Sequence, residues 1–542
     1  MKQIKRKIIL LLFIVNCALQ IATAQQPTEE WVRIYNSPDN MADHFIDMVL
    51  DNNGNVYQTG WNLTQSQNNN IVTIKYNSLG VQQWGVSYDG VGNASDIVRG
   101  MAVDSNGNCY VAGYSGFNFG PYDGILIKYS SFGDTLWTRK LITNLDDEFT
   151  NIAVSQSNFV YVTGRSGDTS VIFKYDSTGS LLWRNQYFES TYLTLSGFIK
   201  LDKFNNVYIG STKHILSIPF SADFLVRKYT QTGTLLWATT YGNPANVADW
   251  MNGFALDNVG NSYATGYTEI NGRDIITVKL NSGGILQWAR FYNGEANTFD
   301  QGNALTCDTS GNNIFVTGLT TKTATERDYV TINYNSIGDT LWIRTYNGPG
   351  NYSDKAFDVT LDNQLNVYIT GESSTNSFDF DVATLKYTLD GNQQWVTRWN
   401  TTGNGGDRGI KIKVDNQFNV YVGGEAAAPG PNVLDLLAIK YSQPVGINTI
   451  TTNIPTKVKL EQNYPNPFNP VTNIRFMIKD YGRVSLVVYN LLGKKLETLI
   501  DQNLSPGEFE YRWNAEPYAS GIYFYVLETG SIIETKKMMF LK

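Results

Sequence analysis

The chain has 542 residues, which is too many for one ordinary hydrophobic core. Hydrophobic residues make up 42% of it and charged residues 17%, a balance that excludes a disordered protein. The net charge of −7 lacks the basic footprint of nucleic-acid-binding proteins, so we expect no nucleic-acid partner.

The N-terminus has the pattern of a secretory signal peptide. Basic residues up to Lys7 precede an apolar run over residues 8–15, and residues 22–24 read Ala-Thr-Ala, an A-x-A cleavage site. We therefore predict that residues 1–24 are removed by cleavage between Ala24 and Gln25. The apolar run is too short to span a bilayer and no later segment is apolar enough, so we expect no transmembrane helix in the mature chain.

Residues 25–441 consist of one sequence unit that is repeated eight times. The clearest landmark is a Gly-x-x-x-Trp segment, whose tryptophans follow one another at intervals of 46 to 54 residues. These tryptophans are Trp84, Trp137, Trp183, Trp237, Trp288, Trp342 and Trp395. Asp-x-x-Gly-Asn turns and strands that end in Lys-Tyr recur between them. A four-stranded unit of about this length is typical of a β-propeller blade.

The second unit shows the predicted strands most clearly, over residues 100–103, 108–114, 124–129 and 135–140. The eighth unit lacks its tryptophan strand, and a segment from Trp31 to Tyr35 supplies such a strand before the first unit. We expect this N-terminal strand to complete the last unit and to cover its edge. The predicted fold is therefore all-β, an eight-bladed β-propeller closed by the N-terminal strand. A seven-bladed propeller is the alternative if the short third unit is degenerate.

The repeats resemble the bacterial β-propeller repeat family called SBBP, across about residues 29–441. That family is named for seven blades, so a count of eight departs from its name, and its members are mostly surface or secreted proteins. The Gly-x-x-x-Trp segment is also similar to the tryptophan-docking motif of quinoprotein dehydrogenases, which carry adjacent cysteines near the cofactor. Cys109 and Cys307 are far apart in sequence. We therefore expect two isolated thiols and no quinone cofactor.

The C-terminal segment over residues 459–542 follows a linker, residues 442–458, and differs in character from the repeats. Its predicted strands lie over residues 472–478, 484–489 and 521–527, the pattern of a small Ig-like β-sandwich. The motifs YPNPFNP, VYNLLGKK, YASGIYFY and KKMMFLK occur in this order and reach the last residue. Together they resemble the type A sorting domain of the type IX secretion system. An unrelated Ig-like binding module is the alternative.

This resemblance implies an address for the protein. It implies passage through the outer membrane by the type IX secretion machinery, removal of the C-terminal domain and, in many members, attachment to surface lipopolysaccharide. The expected location is secreted or on the outer-membrane cell surface. The residues that the resemblance assigns to the sorting signal are Tyr464, Pro465, Asn466, Pro467, Gly521, Lys536 and Lys537.

The two ends of each repeated unit carry different kinds of connection. At one end the turns are stereotyped, whereas the loops at the other end vary from unit to unit. Variable loops above a rigid scaffold commonly carry function, so we expect a ligand face there. Exposed aromatic rings on it would stack on sugar rings or partner side chains, and packing between blades is the alternative for each ring. The candidates are Trp61, Phe117, Phe119, Tyr122 and Trp250.

The repeated turns also place oxygen-bearing residues at alternating positions, as in Asp104, Asn106 and Asn108. Calcium is the one cofactor that this pattern suggests. The turns lack the sixth-position Gly and twelfth-position Glu of an EF-hand, and Asx turns explain the pattern. We therefore predict no metal ligands and no cofactor.

Catalysis finds little support in the sequence. The two histidines, His44 and His214, lie in unrelated repeats, and no Gly-x-Ser-x-Gly or H-E-x-x-H motif occurs. Aspartates recur before the third strand of most units, which indicates a structural role; they are Asp123, Asp223, Asp274, Asp328, Asp381 and Asp435. We therefore name no catalytic residue. The leading hypothesis is a binding or adhesion module for extracellular polysaccharide or protein, and the alternatives are a secreted polysaccharide-acting hydrolase or lyase and a structural surface component.

Overall fold

The computed structural model describes residues 26–90, 94–117, 120–189, 192–215, 221–270, 272–323, 326–376, 379–401, 405–427, 433–443, 447–451, 455–504 and 506–542. The predicted cleavage site at Ala24 and Gln25, and the candidate Phe119, lie outside these residues. The described part of the chain consists of strands and connections without a helix, so it holds no helix that could cross a membrane. It divides into two compact units, the first ending at Ser442 and the second beginning at Gln443.

The first unit runs from β1 to β32. Its first half comprises β1 (Thr28–Tyr35), β2 (Asp43–Leu50), β3 (Val56–Leu63), β4 (Asn69–Tyr76), β5 (Gln82–Tyr88), β6 (Asp96–Val103), β7 (Cys109–Phe117), β8 (Gly120–Tyr129), β9 (Thr135–Leu141), β10 (Asp147–Val154), β11 (Val160–Ser166), β12 (Thr169–Tyr175), β13 (Leu181–Tyr187), β14 (Tyr192–Leu201), β15 (Val207–Ile215) and β16 (Ser221–Tyr229). Its second half comprises β17 (Leu235–Tyr241), β18 (Asp249–Leu256), β19 (Ser262–Thr268), β20 (Asp274–Leu280), β21 (Leu286–Tyr292), β22 (Gln301–Cys307), β23 (Asn313–Thr321), β24 (Arg327–Asn335), β25 (Thr340–Tyr346), β26 (Asp354–Leu361), β27 (Val367–Asn376), β28 (Asp379–Tyr387), β29 (Gln393–Trp399), β30 (Arg408–Val414), β31 (Val420–Ala427) and β32 (Leu434–Ser442).

These described strands form eight four-stranded antiparallel sheets, which we number one to eight in chain order. Sheets one to seven take consecutive strands from β2 to β29, and sheet eight consists of β30, β31, β32 and β1. β1 pairs antiparallel with β32, with Val32 opposite Ile439, as the displaced Trp31 segment predicts. The first strand of each sheet contacts the first strand of the next sheet, and β2 contacts β30. These contacts link the eight first strands in a cyclic series; we call them the inner strands and the series the ring.

The Asp-x-x-Gly-Asn turns fold as the sequence predicts, because one carboxylate satisfies the turn from within. Asp104 Oδ1 accepts hydrogen bonds from the backbone N–H of Asn106 and Asn108, both at 2.9 Å. Its Oδ2 accepts from Asn108 Nδ2 at 2.8 Å and from the hydroxyl of Tyr110 at 2.9 Å. Asx turns of this kind close tightly and leave the strands in register. The equivalent aspartates are Asp51, Asp202, Asp257, Asp308, Asp362 and Asp415.

The repeated tryptophans join neighbouring sheets. Trp84 Nε1 donates to the carbonyl of Ser131 in the next sheet at 3.0 Å, and Lys75 Nζ donates to the same carbonyl at 3.0 Å. The turn that receives them contains Gly133, which has a φ of +95°. A Cβ on Gly133 would lie 2.8 Å from Trp84 Cγ, so only glycine allows the ring to cover this turn. The same docking occurs for Trp31, Trp137, Trp183, Trp237, Trp288 and Trp342.

The short third repeat forms a sheet of the same four strands as the others. Its tryptophan follows the preceding one after fewer residues, and its β11 ends at Ser166 and its β12 begins at Thr169. The connection of two residues is as short as in sheet two, where β7 ends at Phe117 and β8 begins at Gly120. The missing residues come mainly from the strands, because β11 and β12 have seven residues each whereas β7 has nine and β8 has ten.

The second unit consists, within its described residues, of β33 (Ile447–Thr451), β34 (Lys459–Leu460), β35 (Val471–Ile478), β36 (Gly482–Asn490), β37 (Lys495–Leu504), β38 (Gly507–Asn514), β39 (Gly521–Thr529) and β40 (Ile532–Phe540). They form two four-stranded sheets, in the orders β33-β38-β35-β34 and β37-β36-β39-β40. Side chains of both sheets share one core, for example Phe476 with Leu486 and Leu527. The three strands predicted from sequence are β35, β36 and β39, whereas the remaining five were not predicted.

Candidate functional site

The two ends of the sheets in the first unit differ in kind. The turn face carries the connections between first and second strands and between third and fourth strands. The loop face carries the connections between second and third strands and between successive sheets. On the loop face, an aspartate at the start of the inner strand accepts a hydrogen bond from the connection that precedes it. In sheet seven, the Gly348 N–H donates to Asp354 Oδ2 at 2.6 Å. Equivalent aspartates are Asp43, Asp96, Asp147, Asp249, Asp300 and Asp407.

In seven of the eight sheets, all except sheet four, one cross-strand pair varies at the loop face, while the scaffold around it stays constant. The pair joins the residue after the inner-strand aspartate to the residue after a glycine of the second strand, and such neighbours are in direct contact. We call these the variable pairs. In chain order they are His44–Trp61, Ile97–Tyr114, Glu148–Arg165, Trp250–Tyr267, Gln301–Leu319, Lys355–Glu372 and Arg408–Glu425.

The variable pairs of sheets seven, eight and one form a continuous chain of polar contacts, which includes two ion pairs to Glu372. Lys355 Nζ lies 3.0 Å from Glu372 Oε1, and Arg408 Nε lies 2.9 Å from Glu372 Oε2. Glu425 then lies 3.7 Å from Arg408 Nη1 and 3.1 Å from His44 Nδ1. Neighbouring sheets are thus linked through their variable positions.

Trp61 ends this chain of contacts. Its ring stacks on the His44 imidazole with centroids 4.1 Å apart. The side chain of Glu425 is only 6% exposed, whereas those of His44 and Arg408 are 33% and 41% exposed. Solvent at this part of the loop face therefore meets cationic and aromatic groups above buried carboxylates.

A second cluster joins sheets two and three. Glu148 Oε1 lies 2.5 Å from Arg99 Nε, and Glu148 Oε2 lies 3.2 Å from Arg165 Nε. Arg165 also donates a hydrogen bond to the hydroxyl of Tyr122. The Tyr122 ring packs against Tyr114 with centroids 4.5 Å apart. A buried carboxylate again holds two guanidinium groups beside aromatic rings.

A third cluster joins sheets four and five around Trp250. The Trp250 ring meets His214 edge-on at 4.8 Å and stacks on Tyr267 at 6.1 Å. The Arg273 guanidinium lies 4.3 Å from the centre of the Tyr267 ring. Burial lowers the pKa of His214, which favours its neutral form at this site. The third cluster is therefore more aromatic and less charged than the other two.

The structure places the candidate aromatic residues differently from the sequence prediction. Trp61, Tyr122 and Trp250 are half-buried and belong to three different clusters. The prediction that they lie on loops is wrong, because Trp61 lies on β3, Tyr122 on β8 and Trp250 on the inner strand β18. Phe117 ends β7. Backbone pairing extends each strand into segments that vary in sequence, so variability alone did not mark a loop.

The residues predicted from the sequence do not include the charged members of the clusters, above all Glu148, Glu372 and Glu425. A signal for them exists in the repeats. Glu372 and Glu425 directly follow the second-strand glycines Gly371 and Gly424, the same position that Trp61 occupies in the first repeat. A comparison of the repeats would have identified them, because this position varies while the residues around it are constant.

The aspartates before the third strand have two kinds of environment. Asp381 is paired with Arg398, whose Nη2 lies 2.7 Å from Asp381 Oδ2. Asp435 is 6% exposed, and its Oδ1 has no hydrogen-bond partner among the described residues. Burial raises the pKa of Asp435 from 3.8 to about 6. Unpaired burial of this carboxylate costs stability whenever it is charged.

We expect Asp435→Asn to stabilise the protein at neutral pH. The folded-state pKa of Asp435 lies above its unfolded value, so the folded state binds more protons between the two, and stability falls as pH rises from about 4 to about 6. The variant should gain roughly 1–3 kcal/mol at pH 7 and should match the unmodified protein near pH 4. Chemical denaturation at the two pH values measures this. Asp381→Asn, which breaks an ion pair at the equivalent position, should instead destabilise; a gain in both variants would contradict the assignment.

The two described cysteines are free thiols on separate sheets, as the sequence predicts. Cys109 on β7 is fully buried, and burial raises its pKa. Cys307 on β22 is half-buried, and burial raises its pKa to about 12. Neither thiol is activated as a nucleophile. Among the residues that the structure describes, no group of three or more His, Cys, Asp or Glu side chains is arranged to hold a metal ion.

In the second unit, sequence motifs that lie far apart in the chain meet at one edge. Asn466 Oδ1 accepts from the backbone N–H of Met539 at 2.9 Å, and Phe468 N donates to the carbonyl of Met539 at 3.0 Å. Gly521, Lys536 and Lys537 lie on the paired strands β39 and β40. The proline-rich segment is thus attached to the last strand. Tyr464 and Lys537 are exposed there.

Family models match the chain in two places. A model described as a secretion system C-terminal sorting domain matches residues 462–541, and one described as a beta-propeller repeat matches residues 83–120. The protein is therefore a secreted or surface-attached all-β protein that contains β-propeller repeats. Its C-terminal domain is the sorting domain through which the type IX secretion system exports such proteins. Among curated proteins, no sequence matches the chain.

Solved structures resemble the chain only distantly. A fungal alcohol oxidase of the AA5 family in complex with copper has a TM-score of 0.40 at 10% identity, covering 95% of this chain and 99% of that one. A protein from Lactobacillus plantarum has a TM-score of 0.42 at 13% identity, covering 65% and 97%. The WD40 domain of SCAP from fission yeast has a TM-score of 0.39 at 8% identity, covering 76% and 94%. Similarities of this size carry no conclusion about ligand or activity.

Proposed function

We propose that the chain is an exported binding protein whose loop face recognises an extracellular polysaccharide. In this proposal residues 25–441 form an eight-bladed β-propeller, residues 442–458 a linker, and residues 459–542 an Ig-like sorting domain that is removed on export. The predicted cleavage between Ala24 and Gln25, and attachment to surface lipopolysaccharide, belong to the same proposal.

The variable pairs carry this proposal. Most sheets repeat the same aspartate, glycine, aromatic and tryptophan scaffold, yet the pair at the loop face changes from His44–Trp61 to Lys355–Glu372 to Trp250–Tyr267. A purely architectural position would repeat like the rest of the scaffold. Side chains that vary at one end of otherwise similar sheets are what a binding surface requires.

The chemistry of the clusters favours a sugar polymer over other ligands. Trp61 offers a ring held in place by His44, and sugars place their apolar C–H faces on such rings. The half-exposed guanidinium of Arg408 lies within the same chain of contacts, between Glu372 and Glu425, and can donate to hydroxyl or carboxylate oxygens. The buried glutamates beneath fix these donors in advance, which lowers the entropy lost on binding.

We expect the purified protein to bind members of a glycan array and Trp61→Ala to weaken that binding by about tenfold or more, since about 1.4 kcal/mol corresponds to a factor of ten. Tyr122→Ala tests the second cluster in the same way. Phe132→Ala is the matched control, because Phe132 is 83% exposed on the turn face of the same sheet as Tyr122.

Equal losses in Phe132→Ala and Trp61→Ala would remove the loop face as the binding surface. A blank array, followed by capture of a cell-surface protein that Trp61→Ala no longer retains, would replace the polysaccharide by a protein partner.

A further inference from the structure

At one position of the inner strands, two of the eight sheets carry a lysine where the other six carry a small residue. The residue at this position is paired with the aromatic residue of the second strand, as Val49 is paired with Tyr57. In six sheets this residue is small; the six are Val49, Ala102, Ala153, Ala255, Thr306 and Thr360. In sheet four it is Lys200, paired with Tyr208, and in sheet eight it is Lys413, paired with Tyr421.

The ring of inner strands brings these lysines towards each other. Sheets four and eight are four steps apart in a ring of eight, so β14 and β30 face each other across the central axis. Lys411 lies two residues before Lys413 on β30 and therefore points to the same side of that strand. Three lysines thus approach the axis from opposite sides.

The electrostatic neighbours of Lys200 locate its ammonium group near the axis. It interacts with Lys411 and Lys413 of sheet eight, with Asp47 of sheet one and with Asp358 of sheet seven. Burial lowers the pKa of Lys200 most, and the two opposite lysines lower it further. The Lys200 side chain is nevertheless exposed to solvent. Its exposure, together with charged neighbours on three other inner strands, indicates a solvent-accessible space at the axis.

The aspartates near the axis are engaged by the backbone. Asp47 Oδ1 accepts from the Met48 N–H at 2.9 Å and its Oδ2 from the Met101 N–H at 3.2 Å. Asp358 Oδ2 accepts from the Ile412 N–H at 3.0 Å.

The three lysines lack direct ion pairs, although the Asp358 and Asp47 charges raise the pKa of Lys411. Within the described part of the chain, neither Lys200 nor Lys411 nor Lys413 lies within 4.0 Å of a carboxylate oxygen. Three lysines against two aspartates leave one net positive charge in a confined space.

We propose that Lys200, Lys411 and Lys413 form an anion site in this axial space, which binds phosphate or sulfate as the free ion or as an ester. A tetrahedral oxyanion can accept from several ammonium groups at once and offsets their mutual repulsion, which a confined space screens poorly. This site lies on inner-strand positions distinct from the variable pairs, so it is independent of polysaccharide binding at the loop face.

Calorimetric titration of the purified protein with inorganic phosphate and with sulfate at low ionic strength tests the site. We expect saturable binding by the unmodified protein, about tenfold weaker binding in Lys200→Gln and in Lys413→Gln, and none in the double variant. Lys203→Gln is the matched control, because Lys203 is exposed on the turn that follows Lys200 in the same sheet. Glucose 6-phosphate in place of phosphate separates the two sources: binding of both identifies an ester ligand, and binding of phosphate alone identifies the free ion.

Lysine labelling of the unmodified protein keeps the test independent of variant folding. Phosphate should protect Lys200, Lys411 and Lys413 from an amine-reactive reagent, read by mass spectrometry, and should leave Lys203 labelled as before. The proposal is overturned by phosphate titrations without saturation, by equal weakening in Lys203→Gln, or by unchanged labelling of Lys200.

Discussion

Replacing Gly266 by alanine is expected to destabilise the protein by about 4 kcal/mol or more, which places it among the most severe single substitutions. Gly266 lies on β19 where the register with β18 shifts. A Cβ at this position would lie 1.7 Å from the backbone oxygen of Trp250. The obstacle is backbone, so no side-chain rotation relieves it, and β18 would have to leave its place in the ring of inner strands.

The same contact recurs around the ring, which makes the prediction general. A Cβ on the equivalent glycine would lie 1.8 to 2.0 Å from the opposing carbonyl oxygen in six further sheets; the glycines are Gly60, Gly113, Gly164, Gly318, Gly371 and Gly424. Sheet four has the same register, with Ser196 paired to Ser211 and Phe198 to Gly210, but serine occupies the equivalent position. The prediction therefore applies to the seven sheets in which the opposing carbonyl approaches a glycine at the bulge.

Gly283→Ala is the matched control for Gly266→Ala. Gly283 lies in the turn after β20 of the same sheet, and the nearest atom to its added Cβ is Asn281 Oδ1 at 3.4 Å. We expect this variant to unfold within about 0.5 kcal/mol of the unmodified protein. Thermal and chemical denaturation compare the two, and a Gly266→Ala protein as stable as Gly283→Ala would contradict the steric argument.

The periodic part of the fold could be predicted from the sequence because each of its stabilising contacts joins residues at a short or fixed spacing along the chain. Asp104 satisfies a turn within six residues, and Trp84 docks on a glycine turn one repeat away, so a single chain spacing reveals both. The N-terminal strand was predictable for the same reason, since Trp31 is a landmark displaced from its repeat. Because these local contacts recur with the repeat, the fold of each repeat depends little on contacts with distant parts of the chain.

The candidate sites could not be predicted in the same way, because they depend on register between strands and between sheets. Glu148 has no distinguishing neighbour in sequence, and its partner Arg99 comes from the preceding sheet. Lys200 and Lys413 look like ordinary charged residues of a strand until both are seen opposite a second-strand tyrosine. In the second unit, β34 has only two residues and is defined by its partner β35, so no periodicity marks it.

Deleting residues 26–36 is expected to unfold the first unit or to make it aggregate. β1 pairs with β32 from Thr28 opposite Ser442 to Tyr35 opposite Leu436, so its loss exposes a whole strand edge. Trp31 is 8% exposed, and its ring lies 6.3 Å from those of both Tyr76 and Tyr421. Removing a buried tryptophan alone costs about 3–5 kcal/mol, a large share of the typical stability of a domain.

A peptide supplied in trans separates this effect from general damage to the chain. A synthetic peptide of residues 26–37 should pair with β32 and restore a cooperative thermal transition, because it returns both the strand and the indole that donates to the Ser78 carbonyl at 3.2 Å. The same peptide with Trp31→Ala should rescue far less, since it restores the edge without the ring. If the truncated protein melts like the unmodified one without peptide, β1 does not close the ring of sheets, and the contacts of β2 with β30, β31 and β32 must hold the seam.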